Sequence, residues 1–197
     1  MAVTHALPPA PPLQRPRVLM VASGFASAAA LMLFGGLLGI YLTRRAELLQ
    51  AGDTWLPEGV TIPLQQPNVM LFTLLASAIT MQWAVYAVAR DDRVNTYIAL
   101  GLTFVFGIAY VNMQSYLYTL MKFDVIANQQ AVLVYTITGA HLAMLVAAMI
   151  FTAVMAFRAL GGRETSRQHD GVSAAALFWH AMVVAYAILW YAIYITK

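Results

Sequence analysis

Five long apolar runs constrain this chain more than any other feature. They cover about residues 18–43, 68–89, 94–121, 129–157 and 172–196. A bilayer core takes about 20 apolar residues in helical form, so each run is long enough to cross one. Inside lipid every backbone polar group needs an internal partner, which leaves helices or closed barrels. The runs are continuously apolar rather than alternating, and this excludes a barrel. The expected fold is an all-α membrane protein, a bundle of five transmembrane helices forming one domain over 18–197.

Composition fits that reading. The chain is 61% hydrophobic and 10% charged, against about 25% charged in soluble domains. It has no cysteine, so disulfides, thiolate metal sites and c-type haem attachment are excluded. The opening stretch, MAVTHALPPAPPLQRPR, is Pro-rich and reads as a disordered tail over 1–17. The apolar run behind it is roughly twice as long as a signal-peptide core, which argues against a cleaved leader.

The basic residues are scattered between the runs, where they orient the chain rather than form a nucleic-acid surface. Arg15, Arg17, Arg90, Arg93, Arg158, Arg163 and Arg167 fall on one side, and Arg44, Arg45, Lys122 and Lys197 on the other. The positive-inside rule puts the N-terminus in the cytoplasm and the C-terminus outside. GGLLG carries Gly35 and Gly39 at a spacing that allows close helix packing, and Gly24, Ser27 and Ala28 extend the small face.

None of the runs holds Asp, Glu, Lys or Arg near its middle. Ion-coupled carriers normally place such groups there, so the chain is a poor candidate for transport by itself. What remains is neutral or weakly basic. The third run has Asn112, Gln114, Ser115, Tyr116 and Tyr118; the second has Ser77, Thr80, Gln82 and Trp83; the fourth has Thr136, Thr138 and His141. The fifth has Trp179, His180, Tyr186, Trp190, Tyr191 and Tyr194, which fit an aromatic belt at the outer interface. His141 and His180 raise the alternative of a bis-His haem. At about 1.5 Å per residue their expected depths differ by roughly 5–15 Å, which disfavours one shared iron. Interhelix hydrogen bonding is the expected role of both. No phosphate loop, HExxH or nucleophile–base pair is present.

Five segments, in order, resemble subunit III of the haem–copper oxidases in its short five-helix bacterial form. They are LMLFGGLLGIYLTRRA, WLPEG, LTFVFGIAYVNMQSYLY, TGAHLAMLVAAM and LFWHAMVVAYAILWYAIY, and the resemblance runs from about Val18 to Tyr194. Departures accompany it. The family's buried first-helix glutamate matches Ala30, its third-helix acids match Gln114 and Leu117, its second fourth-helix histidine matches Met144, and its fifth-helix aspartate matches Val183. His141 and the Trp179–His180 pair are retained.

The resemblance implies an accessory, non-redox subunit in a bacterial inner membrane. It implies binding to the haem–copper catalytic subunit and other oxidase subunits, with phospholipid held at the interface. Haem and copper would belong to the partner, with no catalytic, cofactor or metal residue in this chain. It also implies that His141 and His180, without carboxylate partners, are neutral packing residues. The alternatives are a membrane cytochrome b with one haem between the two histidines, and a stand-alone carrier or assembly factor.

Overall fold

The structure is a computed structural model that describes residues 17–57, 60–121, 123 and 128–196. The Pro-rich tail expected over 1–17 lies outside the described residues except for Arg17. Five helices follow in order: α1 (Val18–Gln50), α2 (Gln65–Val88), α3 (Arg93–Met121), α4 (Gln129–Leu160) and α5 (Asp170–Leu189). All five are long and apolar enough to cross a membrane. No strand occurs among the described residues; the only β-type pairing is a single bridge, Thr165 with Gln168.

One helix far outruns the apolar stretch that specifies it. α1 continues through RRAELLQ, where Arg44 pairs with Glu47 one turn on (2.9 Å) and reaches Gln129 of α4 (3.0 Å). Beyond α5 the chain widens into a π-helical turn, Trp190–Ile195.

α5 is the central helix. Of its most apolar 18 residues 61% are buried, against 22–33% in the other four helices. It packs on α1, α2 and α4, while α3 packs on α2 and α4. Small residues make this possible: Gly171, Ala174, Ala175, Ala181 and Ala185 of α5 are all buried, letting neighbouring backbones close in.

The inward face of α1 is Ser23, Ser27, Ala30, Phe34, Leu38 and Tyr41, a stripe at helical spacing. Gly35 and Gly39 lie off that stripe. Both are exposed, and a Cβ built on either would meet nothing within 4 Å. Close packing at these two glycines is therefore not made among the described residues.

The turns are tied together at one end of the bundle. Asp91, in the α2–α3 turn, adopts a left-handed φ of 55°, a conformation that Asp tolerates better than most residues. Its carboxylate accepts from the Ser166 backbone N–H (2.7 Å) and hydroxyl (2.5 Å) in the α4–α5 connection. Those bonds, the side-chain one first, hold the Asp91 carboxyl below its ordinary value. Asp92 accepts from the Asn95 backbone N–H (3.1 Å) and caps the start of α3.

Candidate interhelix polar core

His141 of α4 is fully buried. The rings of Phe34 (α1), Tyr110 (α3) and Tyr186 (α5) surround it at centroid separations of 5.8, 5.6 and 5.3 Å. Both of its nitrogens are engaged. Nε2 lies 3.0 Å from the Met182 carbonyl, and Nδ1 lies 3.0 Å from the Tyr110 hydroxyl. A carbonyl only accepts, so Nε2 carries the proton and Nδ1 accepts from Tyr110. The ring is thus a neutral tautomer fixed between three helices.

Tyr110 has one proton and gives it to His141. The Gln114 amide, 3.3 Å away through the atom placed as Oε1, then has to supply a donor. Its Nε2 as placed has no hydrogen-bond partner among the described residues, and neither has the Tyr194 hydroxyl of the π-helical turn. The hydroxyls of Tyr118 and Tyr194 lie near this amide. Turned end for end, the amide donates to Tyr110 and offers its oxygen to the Tyr194 hydroxyl, while Tyr118 gives its own proton to Thr138 Oγ1 (2.9 Å). Amide orientation is decided by such networks. The resulting chain runs Gln114, Tyr110, His141, Met182 carbonyl, and it ends at a backbone acceptor.

Trp179 is fully buried on α5. Its indole N–H donates to Ser77 Oγ of α2 (2.9 Å), and Ser77 donates to the Leu74 carbonyl (2.6 Å). Gly107 of α3 makes room for the ring: a Cβ there would lie 3.1 Å from Trp179 Cη2 and 3.0 Å from Met149 Sδ. His180 is half-buried and donates through Nε2 to Gln82 Oε1 of α2 (3.3 Å). Further bonds to α2 come from Tyr186, to the Pro67 carbonyl (3.2 Å), and Trp190, to Asn68 Oδ1 (2.8 Å). Ser23 of α1 donates to the Ala174 carbonyl (2.6 Å). In a membrane each such bond contributes on the order of 0.6–2 kcal/mol.

Several residues singled out in the sequence stand elsewhere than expected. Asn112 is exposed and donates to the Ile108 carbonyl of its own helix (3.0 Å), so it joins no second helix. Trp179, Tyr186 and Tyr194 are core residues rather than members of an interfacial belt, because α5 is enclosed on most sides; Tyr191 alone among them is largely exposed, at 60%.

His141 and His180 also lie closer in depth than residue counting suggests. His141 reaches the carbonyl of Met182, only two residues past His180, or about 3 Å along α5. Two residues also turn a helix by about 200°. His141 therefore meets one side of α5, while His180 leaves from the other toward α2. Direction separates them, and the ring cage and Met182 occupy the positions a haem iron would need. These residues do not fit a bis-His haem.

The positions that match the family's acids are filled by packing. Ala30, Leu117 and Val183 are buried apolar residues, and Gln114 is the one buried polar residue among them. Sequence reading missed Tyr110, Ser77 as the tryptophan's partner, and Gly107. Tyr110 and Gly107 carried a signal, since Gly107, Tyr110, Gln114 and Leu117 recur on one buried face of α3.

Comparisons with known proteins agree with this arrangement. The family described as cytochrome c oxidase subunit III matches residues 20–197. Similar proteins include cytochrome c oxidase subunit 3 of Oncorhynchus clarkii and of Pelomedusa subrufa, each 28% identical, and that of Cyprinus carpio, 27% identical. Each alignment spans 172 residues, which is 86% of this chain and 66% of the relative, so the chain spans just under two thirds of their length. With five apolar helices matched almost end to end, this chain belongs to the cytochrome c oxidase subunit III family.

Proposed function

We propose that this protein is the accessory, non-redox subunit III of a terminal respiratory oxidase in a bacterial inner membrane, with its N-terminus in the cytoplasm. It binds the haem–copper catalytic subunit and other oxidase subunits, stabilises them and holds phospholipid at the interface. Haem and copper belong to the partner. The family match across all five helices carries the reading. The internal engagement of His141 supports it, since that ring has no nitrogen left for a metal. The polar residues His141, His180 and Trp179 lock helices together within the chain, and Gln114 is buried beside Tyr110 of its own helix. Gly35 and Gly39, open and outward-facing on α1, let a partner helix approach closely; Asn112 lies on the exposed side of α3.

Expression with and without the catalytic subunit tests this. A subunit stabilised by its partner accumulates with it and is lost without it. Equal steady-state levels in both strains would instead favour a stand-alone carrier or assembly factor.

A further inference from the structure

Four polar residues face outward on the half of α3 that leads to Met121: Asn112, Ser115, Tyr116 and Thr119. Ser115 and Thr119 give their protons to carbonyls of their own helix, Val111 (3.0 Å) and Tyr116 (2.7 Å). Tyr116 lies about 7 Å from the helix end, near enough for its polar tip to reach the interface. Asn112 differs from all three. Its Nδ2 donates once, to the Ile108 carbonyl (3.0 Å). The second N–H and the amide oxygen remain to be satisfied. Asn112 lies about 14 Å along the helix from its end at Met121. At that depth in a bilayer, hydrocarbon offers an amide no partner, and an unpaired polar group is costly.

Asn112 also stands at the rim of a groove between α3 and α4. Two hollows of about 390 and 350 Å³ run along the groove and share Phe104, Ala153 and Phe157. From Tyr97 to Asn112 it covers about 22 Å of α3, most of the thickness of a bilayer core. Gly101, Ala153 and Ala156 keep part of its wall low, and a Cβ on Gly101 would meet nothing within 4 Å.

We propose that a transmembrane helix of a partner chain seats in this α3–α4 groove and meets the Asn112 amide with a Ser, Thr, Asn or Gln side chain of its own. Such a side chain both donates and accepts, so it can satisfy the spare N–H and the oxygen. Hydrogen bonds of this kind, beside close apolar packing, are what hold helices together in lipid. A lipid tail could fill the apolar groove but would leave the amide unpaired. The length of the groove suits a crossing helix. The proposal deepens the subunit reading by naming a docking face, and it rests on that reading only for the identity of the partner.

The test puts photoreactive benzoylphenylalanine in place of Val154, on the α4 wall of the groove and 47% exposed, in the full chain in its native membranes. A probe in place of Phe72 of α2, 69% exposed and outside the groove, is the control. Irradiation should join the Val154 probe to a transmembrane peptide of another chain that carries Ser, Thr, Asn or Gln, as read by mass spectrometry of the cross-linked peptide. The Phe72 probe should not yield that peptide. Asn112→Leu should weaken retention of the cross-linked partner in a detergent titration roughly 3–10-fold, the weight of one interhelix hydrogen bond. Asn112→Gln should recover much of the loss. Neither change should move the melting temperature of the chain alone, since Asn112 is exposed. Adducts with lipid alone, adducts with a second copy of this chain, or retention unchanged by Asn112→Leu would each overturn the proposal. A docked helix from a protein unrelated to oxidases would uphold this proposal and overturn the subunit reading. An oxidase complex that assembles without a cross-link at Val154 would do the reverse.

Discussion

Replacing Gly107 with alanine tests the packing of the core at a single atom. The added Cβ would stand 3.0 Å from Met149 Sδ, 3.1 Å from Met149 Cγ and 3.1 Å from Trp179 Cη2. Methionine is flexible and can withdraw. The indole cannot, because its N–H is held by Ser77 at 2.9 Å and the ring is enclosed. Overpacking of this kind costs about 1–3 kcal/mol. Alanine recovers up to about 1 kcal/mol of helix propensity. The net effect is a loss of about 1 kcal/mol, or roughly 2–4 °C in melting temperature for a domain this size. Gly101 on the same helix supplies the control, since a Cβ there meets nothing within 4 Å. Thermal unfolding of the purified chain in mild detergent should rank Gly101→Ala at or above wild type and Gly107→Ala below it. Adding Met149→Ala to Gly107→Ala should not restore wild-type stability, because the tryptophan remains. A Gly107→Ala chain as stable as the Gly101→Ala chain would refute the reasoning.

Three further outcomes are expected. His141→Phe keeps the ring volume but loses two hydrogen bonds, so it should cost about 1–3 kcal/mol, and His141→Ala should cost more by leaving a cavity; detergent melts check the order. Ser77→Ala strands the buried Trp179 N–H and should cost about 1–2 kcal/mol in the same melt, whereas Asn112→Ala, on an exposed face, should change stability little. Asp91 is held low by Ser166, so its contribution is full above the ordinary carboxylate value near about 4 and is lost as the pH falls through the lowered folded value. Hydrogen exchange across 163–168, corrected for intrinsic rates, should show that acid loosening in the wild type and less of it in Ser166→Ala, which keeps only the backbone N–H bond to Asp91.

Helix number, order and approximate limits were legible because continuous apolar runs of bilayer length have few other solutions. The limits failed where a different force took over. α1 runs on through Arg44 and Glu47 because an ion pair and a contact with α4 extend it past the apolar stretch. The histidines were recognised as candidates, but their geometry was not readable. Depth along a helix follows from residue count, whereas the direction in which His141 and His180 face depends on how α4 and α2 dock on α5. The rings of α5 were misplaced for a related reason. A central helix and a lipid-facing helix have similar hydropathy, and only packing distinguishes them. Gly35 and Gly39 stand out as a motif, yet a Cβ on either would meet nothing within 4 Å among the described residues, while Gly107, without a motif, is where Trp179 fits.

The central claim is that this chain is a redox-silent partner in an oxidase. It is tested most directly by purifying the tagged chain from membranes in mild detergent, then measuring the reduced-minus-oxidised spectrum and the protein composition of the eluate. The account predicts co-purified haem–copper catalytic subunit, with haem in proportion to that subunit and none left once the partner is stripped away. Haem that stays with this chain alone, and is lost on His141→Phe, would contradict it.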